Sequence, residues 1–225
     1  MTKHFDAGEP GGFTFQSPET VAAFDKHVRE QLPWYDLATG IVLHVARHFI
    51  PDGGTVIDVG ASTGNIGRAL LPVLTQRHAT LVPIDSSAEM VAKYSGPGKA
   101  ICADAESFDF AARAPDVIIA FLVLMFVRPS LRGSVIRAMS ASLQPGGALV
   151  IFDKREPGGG EIGQITYRLT LAAKYENGAP PDEIIRKELA LAGVQRPLDP
   201  DELAGFSEIF RFGDFSGWLY AAPKR

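Results

Sequence analysis

The residues best placed to do chemistry are three acids, Asp58, Asp85 and Asp104, grouped around a small glycine-bounded loop. The stretch from Thr55 to Gly64 begins as a β-branched apolar run, Thr55-Val56-Ile57-Asp58-Val59, and ends in Gly60-Ala61-Ser62-Thr63-Gly64. A helix-compatible segment, Asn65 to Leu71, follows directly. A strand that delivers such a loop to a helix N-terminus turns backbone N–H groups and the positive end of a helix dipole toward an anion or carboxylate. A second apolar run, Leu81 to Ile84, ends in Asp85, and an acid at the tip of the next strand can take both hydroxyls of a bound ribose. A third apolar segment leads into Ala103-Asp104.

The loop also says which nucleotides are excluded. A dinucleotide fingerprint requires glycines at G-x-G-x-x-G, and the second glycine position here is Ser62. No Lys-Ser or Lys-Thr follows Gly64, so a phosphate cradle of the G-x-x-x-x-G-K-[ST] kind is absent as well. A ligand without a pyrophosphate is favoured, and the loop has only to admit a compact amino-acid moiety.

These residues need a parallel sheet to hold them. From Thr55 onward strand-like and helix-like patterns alternate, which predicts an α/β fold. Strands are expected near 55–60, 79–85, 99–103, 116–123, 147–153, 207–213 and 216–222, with helices between the first five. Pro72 predicts a kinked or split first crossover helix. Ahead of the sheet, Ser17-Pro18-Glu19 opens one helix, with Val21, Phe24 and Val28 as its stripe and Pro33 as its stop. A second helix spans roughly Asp36 to Phe49, with Leu37, Ile41, Val45 and Phe49 on its apolar face. Tyr35, at the hinge between the two, can join a lid over a pocket. Residues 1–16 carry Phe5, Phe13 and Phe15 and are expected to form a partly ordered flap. After the fifth strand, an insertion over 156–195 contains helices near 160–176 and 182–192, the first with Ile162, Ile165 and Leu169 as its apolar face. The aromatic end of the chain, Phe206 to Ala222, turns at Gly213-Asp214 and predicts a closing antiparallel hairpin. The expectation is one domain over 1–225, a doubly wound, seven-stranded, mostly parallel sheet.

Composition narrows the function classes. The chain is 46% hydrophobic and 21% charged, with formal net charge −4 and no basic run, so no generic affinity for nucleic acid is expected. The longest apolar run, Val117 to Val127, is too short to span a bilayer and reads as a strand buried on both faces. No signal peptide is visible at the N-terminus. The one cysteine, Cys102, fits a reducing, cytoplasmic setting and is expected to be a small buried hydrophobe. His44 and His48 have i,i+4 spacing but lack a third ligand, so no metal site is expected.

The set Asp58-Val59-Gly60-Ala61-Ser62-Thr63-Gly64, Asp85, Ala103-Asp104 and the turn Gln144-Pro145-Gly146-Gly147 resembles the class I S-adenosylmethionine (SAM) methyltransferases over roughly residues 30 to 225. The resemblance implies SAM as cofactor. Gly60, Ala61, Ser62 and Gly64, with Asp58 behind them, would face its methionyl part. Asp85 would hold the ribose, and Asp104 with Ala105 would address the adenine. Phe24-Asp25-Lys26-His27-Val28, Pro33-Trp34-Tyr35, Ile84-Asp85-Ser86-Ser87-Ala88-Glu89-Met90 and Phe210-Arg211-Phe212 are similar, more narrowly, to the carboxy-SAM synthase family. That family uses prephenate to convert SAM into its carboxylated derivative for tRNA modification. This closer likeness implies Tyr35, Ser86, Met90 and Phe121 at the cofactor and an arginine of the insertion, Arg168 or Arg186, on the added carboxylate. Ala120 stands near the family's strand-four asparagine, which places carboxylation second to methyl transfer.

No Asn-Pro-Pro-Tyr-like segment accompanies Phe121-Leu122-Val123-Leu124, which disfavours nucleobase amine methylation. Asp153-Lys154-Arg155-Glu156, after strand five, reads either as a substrate contact or as a solvated turn. The expected activity is a SAM-dependent methyl transfer to a small or tethered acceptor. Synthesis of carboxy-SAM from a prephenate-like acid is the alternative, and a non-catalytic SAM-binding protein is the third reading. The aromatic tail and insertion are compatible with a homodimer.

Overall fold

The computed structural model describes residues 18–224, with side chains from Asp25 onward. The expected flap over 1–16, the Ser17 cap and the side chains of Val21 and Phe24 lie outside the described residues.

Two helices, α1 (Pro18–Gln31) and α2 (Tyr35–Phe49), precede β1 (Thr55–Val59). The chain then runs α3 (Asn65–Gln76), β2 (Thr80–Asp85), α4 (Ala88–Lys93), β3 (Ile101–Cys102), β4 (Val117–Phe121), α5 (Pro129–Ser142) and β5 (Ala148–Lys154). The insertion supplies α6 (Gly160–Glu176) and α7 (Pro181–Ala190), and β6 (Ser207–Phe212) and β7 (Phe215–Ala221) close the sheet. The seven strands lie in the order β3-β2-β1-β4-β5-β7-β6. β1 is parallel to both β2 and β4, β4 is parallel to β5, and β7 is antiparallel to both β5 and β6. β4 and β5 are buried along their whole length, as expected for β-branched and apolar strands covered on both faces. The strand order reverses between β1 and β4, and the crevice at their carboxyl ends is where ligands of such sheets sit.

Several expectations are corrected. β3 has two residues rather than five, and only a single 3₁₀ turn, Ala111–Arg113, joins it to β4 where a helix was expected. That connection is stopped by Ala114 in the left-handed region, just before Pro115. Because β3 is a short edge strand, Cys102 is exposed and not a core residue. α3 is one helix that carries Pro72 inside it and is not split. β4 ends at Phe121, two residues early, because Leu122 turns into the left-handed region with φ 60°.

The apolar faces of two helices also differ from expectation. On α2 the buried residues are Tyr35, Ala38, Val42 and Ala46, while Leu37 is 62% exposed. The small alanines let this backbone approach the sheet closely, and Ile41, Val45 and Phe49 pack only partly at the flank. On α6 the buried residues are Gly163, Thr170 and Lys174, and Ile162, Ile165 and Leu169 face outward. A buried polar network takes the inner face: Lys154 is 3.3 Å from the Asp214 carboxylate, Thr170 bonds to Asp214, and Lys174 bonds to Glu188 at 2.6 Å. Paired charges of this kind have to be enclosed by further polar groups, which turns the apolar stripe away from the sheet. Among the described residues no helix is long and apolar enough to cross a membrane.

Candidate active site

The loop after β1 is shaped by three left-handed residues, Gly60 (φ 70°), Ser62 (φ 51°) and Gly64 (φ 99°). Glycine at the first is required by packing as well as by φ, since a Cβ there would lie 2.7 Å from the Val123 side chain. Ser62, the residue that spoils the dinucleotide fingerprint, is held in its strained conformation by Asp85, whose Oδ2 accepts from the Ser62 N–H at 2.8 Å. The other oxygen of Asp85 accepts from the Ser87 N–H at 2.9 Å. One carboxylate therefore ties the glycine loop to the tip of β2 and to the entry of α4, with both oxygens facing ordered donors. Burial pushes its pKa up, opposed by those two N–H groups. The Ser62 hydroxyl lies 3.4 Å from the Met90 sulfur, which closes the floor of the loop.

A cavity of about 390 Å³ opens above this loop, within the range of small-molecule sites. Of the residues expected at a cofactor, Tyr35, Gly60, Ala61, Ser62, Asp85, Ser86, Met90, Asp104, Ala105 and Phe121 line it. Gly64 and Asp58 do not line it. Gly64 instead closes the loop through its N–H, 2.9 Å from the Ala61 carbonyl. Asp58 lies beneath, 1% exposed, with its Oδ2 lacking any partner. Burial, and then the charge of Asp85, pushes the Asp58 carboxyl up to about 8. An orphaned carboxylate oxygen under the loop and a second acid beside it suit a ligand carrying positive charge, as the ammonium and sulfonium of SAM do. The residues present fit that cofactor.

Arg168 and Arg186 are not brought to this cavity. Both are exposed, and Arg186 pairs with Asp182 on its own helix at 2.7 Å. Asp153 and Lys154 are neither solvated nor in the lining: both are buried at the end of β5. His44 and His48 are exposed, and among the described residues no group of three or more His, Cys, Asp or Glu is arranged to hold a metal ion.

Tyr35 is 4% exposed and packs edge-on against Phe121, with ring centroids 5.4 Å apart. The Arg29 guanidinium lies 5.2 Å from its ring centroid and bonds to Asn65 and Asp36 at 3.0 and 2.9 Å. Burial holds the phenol well above its ordinary range, so it is a neutral donor.

The far wall was not legible in the sequence as a site. Leu122, Val123, Phe126, Val127 and Val194 complete it. The segment 122–127 that carries most of it is held from behind by two buried residues. Asp153 Oδ2 accepts from the N–H groups of Val123, Leu124 and Met125 at 3.2, 2.7 and 3.3 Å. Arg132, 1% exposed, donates to the carbonyls of Leu124, Val127, Arg196 and Pro197 and to Glu202. Amide groups are thus gathered by a carboxylate and carbonyl groups by a guanidinium, so the wall is set before any ligand arrives. Burial pushes Asp153 up to about 7, opposed by its backbone donors and by Arg132.

Two predictions follow from this geometry. Gly60→Ala should weaken S-adenosylhomocysteine binding by about tenfold or more, through left-handed strain and displacement of Val123. Calorimetric titration checks it, and an unchanged affinity would remove the close-approach argument. The second concerns pH. Asp58 and Asp153 have folded pKa values of about 8 and about 7 against an ordinary 3.8. The folded state therefore binds more protons than the unfolded one across that interval, and stability from both groups is highest in acid and lost as pH rises through it. Asp58→Asn should flatten the slope between pH 6 and 8 by up to ~1.4 kcal/mol per pH unit, read from urea midpoints. A variant with the wild-type slope would show that Asp58 does not titrate there.

A methyltransferase-domain family model matches residues 57–151. Solved structures with the same fold include an O-methyltransferase family protein from Burkholderia thailandensis, with TM-score 0.60 and 17% identity over 91% of this chain and 60% of that one. The N-methyltransferase NodS from Bradyrhizobium japonicum, in complex with S-adenosyl-L-homocysteine, gives TM-score 0.58 and 17% identity over 93% of this chain and 98% of that one. Fold and site together define a class I, SAM-dependent transferase. Full-length relatives are narrower in kind. The carboxy-S-adenosyl-L-methionine synthase of Staphylococcus epidermidis is 29% identical over 92% of this chain and 96% of that protein. That of Trichodesmium erythraeum is 30% identical over 89% and 83%. The chain belongs to the carboxy-S-adenosyl-L-methionine synthase family.

Proposed function

We propose that this protein transfers the methyl group of SAM to a small acceptor. The observation that carries the reading is the make-up of the cavity lining. Asp85, Asp104 and Glu106 share it with the apolar Phe121, Leu122, Val123, Phe126, Val127 and Val194, with no Lys, Arg or His in the lining among the described residues. Bound SAM supplies an already electrophilic methyl group on a sulfonium. Gly60 to Ser62 would hold its methionyl part, Asp85 its ribose, and Asp104 with Ala105 its adenine. What remains for the protein is to align the acceptor and exclude water, which the preset apolar wall supports. A neutral Tyr35 in the lining can donate one hydrogen bond, and a base is optional for an acceptor that is already nucleophilic.

Synthesis of carboxy-SAM is the second reading, favoured by full-length relatives of that name. It calls for a cation facing the added carboxylate, and Arg168 and Arg186 point elsewhere in this chain. Native mass spectrometry of the purified protein, followed by incubation with SAM with and without prephenate, separates the two. Co-purified SAM or its demethylated product, with no heavier cofactor after prephenate, is the expected result. A species heavier by one carboxyl group would put the second reading first. A protein that binds SAM yet turns over no acceptor would support the third, non-catalytic reading. The exposed Cys102 thiol suits a reducing cytoplasm, and the outward stripe of α6 supports a homodimer, which sedimentation would test.

A further inference from the structure

Tyr35 lines the cavity, and its hydroxyl has no hydrogen-bond partner among the described residues. Its ring, by contrast, is fixed from two sides. Phe121 meets it edge-on from the tip of β4, and the Arg29 guanidinium lies over it, 5.2 Å from the centroid. Arg29 is held there by three acceptors on three different helices. Its Nη1 donates to the Asp25 carbonyl of α1 at 2.8 Å, its Nε to the Asp36 carboxylate of α2 at 2.9 Å, and its Nη2 to Asn65 Oδ1 of α3 at 3.0 Å. Asn65, itself in the cavity lining, donates to the Thr39 hydroxyl at 3.0 Å, and that hydroxyl donates to the Tyr35 carbonyl at 2.9 Å. A closed circuit therefore runs from the Tyr35 ring through Arg29, Asn65 and Thr39 back to the Tyr35 backbone. From the insertion, the Asn177 amide donates to the carbonyls of Arg29 and Glu30 at 2.7 and 2.9 Å, which fixes the end of α1. The Arg29 and Asp36 side chains are 39% and 72% exposed, so their ion pair adds little to stability. What the guanidinium supplies is geometry. A planar fork can meet three acceptors and still lay its face on a ring, which a lysine ammonium cannot do.

We propose that Arg29 is a positioning residue of the cofactor site: it holds the Tyr35 ring so that the free hydroxyl meets the bound ligand. This rests on the SAM-binding reading of the same cavity.

The test is a double-mutant cycle on S-adenosylhomocysteine affinity, read by calorimetric titration of the full-length protein, with the Tm of each variant recorded alongside. Arg29→Met and Tyr35→Phe are each expected to weaken binding by about fivefold, and the double variant to bind within about twofold of the weaker single one, because both changes remove the same contact. A merely structural role for Arg29 would instead give the same fold-loss in the Tyr35→Phe protein as in wild type. That additive result, or either single variant binding within about twofold of wild type, would overturn the proposal while the cofactor reading stands. Where Arg29→Met does not fold, Arg29→Lys carries the same cycle, since it keeps the charge and loses the fork. Failure of the wild-type protein to bind S-adenosylhomocysteine would overturn the cofactor reading, and the positioning role with it.

Discussion

Asp85→Ala is expected to lower S-adenosylhomocysteine affinity by about 100-fold, the equivalent of ~3 kcal/mol, because charge-assisted hydrogen bonds contribute ~1.5–3 kcal/mol each. Two losses combine. On the proposed reading of the site the ribose would lose its acceptor, and the Ser62 and Ser87 N–H groups, now 2.8 and 2.9 Å from the carboxylate, would lose theirs. Ser62 would then be free to leave φ 51°, a conformation that few non-glycine residues hold without support. Asp85→Asn separates the two contributions. An amide keeps one acceptor oxygen but turns a donor toward the second N–H, so a loss of about tenfold is expected. Calorimetric titration of the three proteins is the measurement. If alanine binds within threefold of wild type, Asp85 is an internal brace of the loop and not a ligand contact.

Arg132→Met is expected to have the largest effect on stability, a loss of ~3–5 kcal/mol, as found when one member of a buried charged pair is removed. Methionine fills much of the volume but replaces none of the five hydrogen bonds. The carbonyls of Leu124, Val127, Arg196 and Pro197 would be left in the interior with a donor missing, and Glu202 would lose its 2.9 Å partner. For a chain of this size that corresponds to a fall in Tm of about 10 °C or more. Arg132→Lys keeps the charge but cannot span four carbonyls from one ammonium, so an intermediate fall is expected. A methionine variant that melts within 2 °C of wild type would show that the segment 122–127 is held by its own turn and by Asp153 alone. In a folded variant at low temperature, the apolar wall should loosen before the cofactor end does. Amide exchange at Leu124 to Val127 should accelerate while that at Ala61 to Gly64 is unchanged, because Arg132 bonds to the carbonyls of Leu124 and Val127 and not to the glycine loop.

These two residues mark the boundary between what could and could not be read from the chain. The place of Asp85 beside the loop was legible because it is set locally. It ends an apolar run, it follows a glycine-bounded loop by one strand–helix–strand unit, and in a parallel sheet adjacent strand tips come together at the same edge. Arg132 was not. Its partners come from the β4 turn and from the segment leading to the 3₁₀ turn at Pro200–Leu203, which meet only after α5, α6 and α7 have been placed. An arginine in the middle of an amphipathic helix carries no local mark of being buried.

The helix faces divide in the same way. The pattern of α2 was periodic enough to announce a helix, but Leu37-Ile41-Val45-Phe49 and Ala38-Val42-Ala46 are two apolar stripes on one cylinder. Hydropathy favours the bulky stripe, whereas close approach to the sheet selects the small one. In α6 the apolar stripe was real and its burial was not, because Thr170 and Lys174 had charged partners in the turn between β6 and β7 and on α7 that no local reading could supply. The sequence by itself determined the alternation of strand and helix, the glycine loop, the acids at the strand tips and the family, since each is written in contiguous residues with short-range geometry. Only the tertiary structure decided which face of each helix is buried, that Arg168 and Arg186 stand away from the cavity, and that the far wall is apolar and its amides already spent, because those depend on contacts between segments far apart in the chain.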